Sequence, residues 1–364
     1  MTRKKTRVAI LFGGRSAEHD VSILSARSVS EAIPRERFEV VPICIARDGL
    51  LLPPEESERA LSGELVATRG SPEFSFELWA RKARIGVAFP LVHGTFGEDG
   101  CLQGFLEILG IPYVGSGVTS SAIGMDKAMM KRCFASASLP IVEHVVVSEL
   151  DWLDDGERVA RLIRNRLRLP FFVKPANAGS SVGVSKVRND SQLGEAIELA
   201  LRFDDKALIE RGIDARELEV SVLGNADPNA SLPGEIIPGN EFYDYADKYI
   251  TDGAQLIVPA KLSDEDSDEI RRLAIEAFRA IGASGYARVD FFLEKGTDKL
   301  FVNEINTIPG FTRISMFPKL WEATDLKYSR LVERLIDLAL ERGEWRRRRL
   351  ESTMRFFDEV ERLK

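Results

Sequence analysis

Two strongly apolar runs, Val8–Phe12 and Ile85–Val92, each stop at a glycine-bearing loop, Gly13-Gly14 and His93-Gly94. Neither run alternates apolar with polar residues, so each suits a strand covered on both faces. Covering both faces takes helices above and below the sheet, which points to parallel α/β architecture. The surrounding chain supplies the parts. Ser16 can cap a helix running through Val21, Leu24, Val29 and Ala32. Phe38–Ile45 reads as a second strand, and Leu102–Leu109 as a helix before Pro112-Tyr-Val and Gly115-Ser-Gly117. In such sheets the loops after the strands gather ligands and catalytic groups.

A chain of 364 residues has room for two or three domains. Residues 47–84, with Pro53-Pro54 and a Ser/Glu/Arg mixture, read as an irregular surface insertion with room for a short hairpin. A second unit alternates a helix over Lys127–Ala137, strand Val142–Val147, helix Glu157–Leu167 and strand Phe171–Lys174. After a Gly/Ser loop come strand Val184–Val187, helix Ser191–Arg202 and strand Ala207–Glu210. A third unit has strands near 216–224, 231–238, 286–293 and 299–306, with a helix over 264–281. Helices near 315–323, 327–342 and 345–363 close the chain.

Composition narrows the function classes. The formal charge of −7 disfavours broad binding to nucleic acid or anionic membrane. No apolar run approaches the ~20 residues of a membrane helix, and the basic start lacks a signal-length apolar segment, so a cytoplasmic location is expected. Cys44, Cys101 and Cys133 are far apart without a CxxC. With only His19, His93 and His144 besides, any metal should be hard and oxygen-bound.

Several constellations could carry chemistry. Lys174-Pro-Ala-Asn-Ala-Gly179-Ser180-Ser181-Val-Gly183 links two strands. Glycine-freed N–H groups, two hydroxyls and an ammonium form a phosphate cradle, although a plain Gly-Ser hairpin fits the same residues. Arg288 and Asp290 share one strand face, as do Glu304 and Asn306. Those oxygens are ligands of the kind Mg²⁺ takes beside nucleotide phosphates; the plainer alternative is an Arg–Asp ion pair with Asn306 starting a turn. Lys127 and Lys248 read individually as surface lysines, but with Lys174 they could surround a triphosphate. His93-Gly-Thr-Phe-Gly-Glu98-Asp-Gly100 follows a buried strand, as a catalytic loop or as a turn in which Asp99 caps the next helix. Glu18 could simply favour a helix dipole.

Together these motifs closely resemble the D-alanine–D-alanine ligases of the ATP-grasp superfamily. The matching series is Gly13-Gly14 with Ser16-Ala-Glu18, His93 through Gly100, Met125-Asp-Lys127 and Lys174 through Gly183. It continues with Tyr243 through Tyr249, Arg288-Val-Asp290 and Glu304-Ile-Asn306-Thr-Ile-Pro-Gly310, and covers roughly residues 7–343.

The resemblance implies an α/β fold, α+β in its ATP-grasp part, with three domains and an appended tail. These are a substrate-binding domain over 1–121, ATP-grasp domains over 122–212 and 213–343, and a helical extension over 344–364. It implies a cytoplasmic homodimer that uses ATP and two Mg²⁺, with Mn²⁺ an acceptable substitute. The reaction would phosphorylate one D-alanine and transfer its acyl group to a second, for peptidoglycan. Lys127, Lys174 and Lys248 would bind phosphates. Ser181 would sit in the lid, Glu210, Arg211, Ile213 and Phe242 would edge the adenine, and Glu217 would hold the ribose. Asp290, Glu304 and Asn306 would hold the metals. Glu18, Ser180 and Tyr249 would latch the lid over the first D-alanine, near His93. Arg288 and the Gly310 N–H would stabilise the oxyanion, and Ser315 with Met316 would receive the second substrate. Tyr249 favours an amine acceptor over a hydroxyl. D-lactate or D-serine as acceptor, or a catalytically silent nucleotide-binding protein, are the alternatives. The tail from Arg346 extends beyond the usual family end; Leu350, Met354 and Phe357 recur at helical spacing and predict an amphipathic helix packed on the last domain or at an interface, with a nucleic-acid or membrane role for the four arginines as the alternative.

Overall fold

The computed structural model describes residues 5–179, 181–237 and 255–362. The first apolar run becomes β1 (Thr6–Gly13), the centre of a three-stranded parallel sheet. It is followed by α1 (His19–Ala32) and flanked by β2 (Phe38–Ile45) and, later, β3 (Val87–Pro90). Val8 through Phe12 are essentially inaccessible, as burial on both faces requires. The turn after β1 depends on glycine: Gly13 has φ +89°, and a Cβ there would lie 2.3 Å from the Ile45 carbonyl.

Residues 47–84 depart from the expected irregular insertion. They contain α2 (Pro54–Ser62) and α3 (Phe76–Ala83). The proline pair starts α2 instead of breaking it, because a first-turn N–H has no helical partner to lose. Buried Ser57 Oγ accepts the Cys44 N–H at 2.9 Å and donates to the Leu52 carbonyl, tying α2 to β2. Ser75 caps α3 by accepting the Leu78 N–H, and Phe76 and Ala80 enter a core with Leu11 and Leu106. The unit ends with α4 (Cys101–Ile108) and α5 (Val118–Met125).

Asp126 caps α6 (Lys127–Ser136), accepting N–H groups from Ala128 and Met129. Then come β4 (His144–Ser148), α7 (Glu149–Arg166), β5 (Phe171–Pro175), β6 (Ser185–Val187), α8 (Leu193–Leu201) and β7 (Lys206–Arg211). The strands form an antiparallel sheet in the order β4-β7-β5-β6, with α7 and α8 packed on it through Ile163, Ile197 and Ile209. The helix expected from Glu157 starts earlier. Ser148 caps it, and Asp155, with non-helical φ −152° and ψ 79°, separates two helical stretches.

The remaining chain forms β8 (Ala215–Gly224), β9 (Asn229–Ala230), β10 (Gly234–Ile237), β11 (Gln255–Ile257), α9 (Asp264–Ala280), β12 (Gly285–Glu294) and β13 (Leu300–Asn306). The strand order is β11-β10-β8-β12-β13, antiparallel throughout, with β9 on β8. Helices α6 and α9 cover one face through Met130, Phe134, Ala274 and Phe278, which leaves the other face free for polar side chains.

After α10 (Met316–Ala323), the two expected closing helices are one, α11 (Tyr328–Arg362). Gly343 does not break it: a Cβ there would lie 2.6 Å from Pro112, so glycine permits close packing on the first unit. The first half of α11 joins the core of the parallel sheet through Leu331, Leu335 and Ile336. Buried Arg342 pins the junction, donating to the carbonyls of Gly115 and Tyr113 and to Ser284 Oγ, with its guanidinium 4.6 Å from the Tyr113 ring centroid. Burial without a carboxylate partner pulls its pKa down to about 10. Arg346 pairs with Glu107. Further along, the expected packing of Leu350, Met354 and Phe357 is not made among the described residues: all three are more than half exposed.

Candidate active site

A cavity of about 750 Å³ opens between the four-stranded sheet and the polar face of the larger sheet. Its size suits a nucleotide-sized ligand.

One wall comes from β5 and β7. Their pairing sets Lys174 opposite Leu208 and Glu210 opposite Phe172, so the lysine and the acid share one face. Lys174 Nζ donates to Glu210 Oε2 at 2.9 Å. On the other side of the carboxylate, Lys131 Nζ lies 2.5 Å from Oε1, a contact angled as an ion pair rather than as a hydrogen bond. Burial raises the Glu210 pKa, but the two ammonium groups outweigh it and hold the carboxyl at about 2. Burial lowers Lys174, yet attraction to Glu210 and Glu304 leaves it above its ordinary value. Lys127 stands one helical turn before Lys131; its Nζ donates to the Ala178 carbonyl at 2.8 Å and lies 3.8 Å from Glu304 Oε2.

The opposite wall comes from β8, β12 and β13. Register places Asp290 between Glu219 and Glu304, and Arg288 between Ser221 and Asn306. A bulge at Asn303, which the pairing skips, breaks the ladder beside Glu304. Arg288 holds Asp290 with two hydrogen bonds of 2.7 Å each, and its Nε is 3.1 Å from Glu219 Oε2. Burial works against the guanidinium charge, but Asp290 and Glu219 raise its pKa well above the ordinary value. Asn306 Oδ1 accepts the Ile308 N–H at 2.9 Å. The ion pair and the turn suggested by the sequence are therefore both formed. Among the described residues no three His, Cys, Asp or Glu side chains make a ready metal cluster. The donor set still fits a hard divalent cation that phosphate oxygens complete: Asp290 and Glu304 are direct cross-strand neighbours, with Asn306 two residues on along the same face.

A second group of loops meets at the ends of β1 and β3. Glu18 reaches between two glycines: a Cβ on Gly94 would lie 2.9 Å from its Oε2, and one on Gly179 3.5 Å away. His93 is 3% exposed. Its Nδ1 donates to the Ile308 carbonyl at 2.9 Å, and its Nε2 lies 3.0 Å from Ser25 Oγ, which accepts the Phe311 N–H. Burial works to lower the His93 pKa, but attraction to the Glu98 carboxylate 3.7 Å away leaves it raised. Ser315 Oγ lies 2.7 Å from Thr312 Oγ1 and would be 3.2 Å from a Cβ on Gly310.

Comparison with known proteins agrees with this layout. Residues 7–116 match the family model described as D-ala D-ala ligase N-terminus, and residues 133–337 match D-ala D-ala ligase C-terminus. The chain belongs to the D-alanine–D-alanine ligase family. It is 48% identical to the D-alanine–D-alanine ligase of Solibacter usitatus, over 93% of this chain and 96% of that one. The ligase of Chloroherpeton thalassium is 45% identical, over 93% and 97%. The D-alanine–D-alanine ligase structure from Coxiella burnetii superposes with TM-score 0.81 at 35% identity, covering 96% of this chain and 98% of that one. The VanG D-Ala:D-Ser ligase from Enterococcus faecalis superposes with TM-score 0.80 at 31% identity, covering 92% and 100%.

Of the residues singled out for this family, Lys127, Lys174, Ser181, Glu210, Arg211, Ile213, Glu217, Arg288, Asp290 and Glu304 line this cavity. Glu18, His93, Gly310 and Ser315 belong to the second group. The Met316 side chain packs with Ile236 and Leu320 in a small core and does not line the cavity. Ser180, Phe242, Lys248 and Tyr249 lie outside the described residues. The motifs miss Lys131, Glu219, Phe172 and Lys186. Glu219 follows Glu217 by two, so strand periodicity could have found it; Lys131 shares a helix face with Lys127, but its spacing gives no sign of burial. No helix among the described residues is long and apolar enough to cross a membrane.

Proposed function

We propose that this chain uses ATP to join two D-alanines into D-alanyl-D-alanine through a D-alanyl phosphate, releasing ADP and phosphate. The observation that carries it is the pair of opposed walls: Lys127 and Lys174 face Asp290 and Glu304 across one cavity, the polarity a metal-bound triphosphate needs.

A carboxylate is a poor electrophile, so its oxygen first attacks the γ-phosphorus to gain a leaving group. Lys127, Lys174 and Lys248 neutralise phosphate charge. Adenine lies against Phe172 at the Glu210–Ile213 edge beside Phe242, Glu217 takes the ribose hydroxyls, and Ser181 belongs to the phosphate lid. Asp290, Glu304 and Asn306 would hold two Mg²⁺, or Mn²⁺, which supply charge neutralisation to the transferring phosphoryl group. Glu219 gives Arg288 an anchor that does not depend on Asp290, so Arg288 stays aimed at the oxyanion with the Gly310 N–H. Glu18 orients the first D-alanine's ammonium, and its approach to Gly179 supports a latch with Ser180 and Tyr249. His93 acts from beneath, holding the 308–311 loop through Ile308 and Ser25. Ser315 receives the second substrate's carboxylate, beside the Met316 backbone. The amine attacks the acyl carbon and phosphate leaves.

The same reading places the chain in the cytoplasm, in peptidoglycan synthesis, as a homodimer, with domains over 1–121, 122–212 and 213–343 and a helical extension over 344–364. Phosphate release from ATP and Mg²⁺ should require D-alanine and not respond to L-alanine; release indifferent to D-alanine would end the proposal. The likeness to a D-Ala:D-Ser ligase gives a second reading, with D-serine as acceptor. Competing acceptors in one reaction, resolved by product mass, separate the two.

A further inference from the structure

We infer that Lys131 is a positioning residue for nucleotide binding, holding one oxygen of Glu210 so that the Lys174 ammonium keeps its charge for a phosphate. The inference rests on the nucleotide reading of the cavity.

Lys131 is wholly inaccessible, so its ammonium touches no ligand directly. A lysine buried this deeply needs a reason, because desolvating the charge is costly. Its surroundings give one. It meets Glu210 Oε1 at 2.5 Å, while Lys174 takes Oε2 at 2.9 Å. Its Nζ also lies 3.5 Å from the Asn303 carbonyl, at the bulge beside Glu304. One side chain from α6 thus touches the strand of the phosphate lysine's counter-ion and the strand of the metal-ligand candidate.

The charge count explains the effect. Two ammonium groups share one carboxylate, so the Lys131–Glu210–Lys174 cluster presents net +1 to a phosphate. Without Lys131, both oxygens of Glu210 can close on Lys174. The pair becomes neutral, and the cation that should meet the phosphate is bound to its neighbour. The remaining pair is internally balanced, so the fold should survive the loss. Removing the negative charge as well should restore the count: Lys131→Met with Glu210→Gln leaves Lys174 alone at +1, and glutamine keeps a carbonyl oxygen for the adenine edge.

Titration calorimetry with ADP·Mg²⁺ and, separately, adenosine tests this on the full chain. Lys131→Met should weaken ADP about tenfold or more, as expected for losing one nearby charge in a partly screened site. Adenosine affinity and the KM for D-alanine should be unchanged. The double variant should recover ADP affinity to within about threefold of wild type. If Lys131→Met does not fold, as judged by its melting curve, Lys131→Gln carries the same expectation. Unchanged ADP affinity, equal losses for ADP and adenosine, or no recovery in the double variant would each overturn the positioning role. Failure of the wild-type chain to bind ADP·Mg²⁺ would instead overturn the nucleotide reading, and the inference with it.

Discussion

The two walls of the cavity invert each other's charge. On the lysine wall two cations, Lys131 and Lys174, share the single carboxylate of Glu210. On the facing wall two carboxylates, Asp290 and Glu219, share the single guanidinium of Arg288. Each cluster is largely buried, and cations outnumber acids in the first while acids outnumber cations in the second. Under the proposed function, the first arrangement suits a phosphate and the second a divalent cation.

Removing the shared ion from each wall is the largest test. Arg288→Met strands two acids and Glu210→Met strands two lysines; each should lower unfolding free energy by about 3–5 kcal/mol at neutral pH in urea titrations. Their pH dependences should be opposite. Stranded acids gain protons more readily folded than unfolded, so Arg288→Met should recover stability as pH falls. Stranded lysines lose protons more readily folded, so Glu210→Met should recover as pH rises. A common pH trend would mean the walls do not differ as described.

Glu304→Gln tests the acidic wall's function and not its stability. Turnover should fall about 10²–10³-fold, the range for losing one transition-state charge contact, with an unchanged melting curve. A smaller effect concerns the lysine wall in acid. The Glu210 carboxyl titrates at about 2 folded against an ordinary 4.5, so its stabilisation is complete above pH 4.5 and disappears as pH falls through 2. Urea midpoints across that window should slope in the wild type and flatten in Glu210→Gln. Smallest is Lys186→Met. Lys186 Nζ sits 5.3 Å from the Phe172 ring centroid, and losing this cation–π contact, about 0.5–1 kcal/mol, should weaken ATP about two- to fivefold.

The walls also differ in how legible they are in the sequence. Arg288, Asp290, Glu304 and Asn306 alternate among Val289, Phe291 and Ile305, so strand periodicity put them on one polar face and the register confirms that face. What alternation could not decide was how those groups pair, since an ion pair and a metal site use the same residues. On the lysine wall Lys174 was visible from its loop. Lys131 was not, because a lone lysine in Lys127-Ala-Met-Met-Lys131 reads as a solvated helix face. Only tertiary packing shows it facing Glu210, 79 positions away. The parallel sheet was legible because Val8–Phe12 carries no polar residue. The helices inside 47–84 were not: Pro53-Pro54 reads as a breaker, and the anchoring group, Ser57, is a polar residue buried by two hydrogen bonds. The continuity of α11 was hidden by Gly343, whose role is to admit Pro112.

Under the proposed function, the two walls hold ATP so that a substrate carboxylate takes its terminal phosphoryl group. D-alanine labelled with ¹⁸O in both carboxylate oxygens, incubated with ATP, Mg²⁺ and the full chain, reports this step directly. The carboxylate oxygen that attacks phosphorus leaves with the phosphate, so each phosphate released should carry one ¹⁸O, and the dipeptide should retain one in its peptide carbonyl. Release of unlabelled phosphate alongside dipeptide would contradict the account.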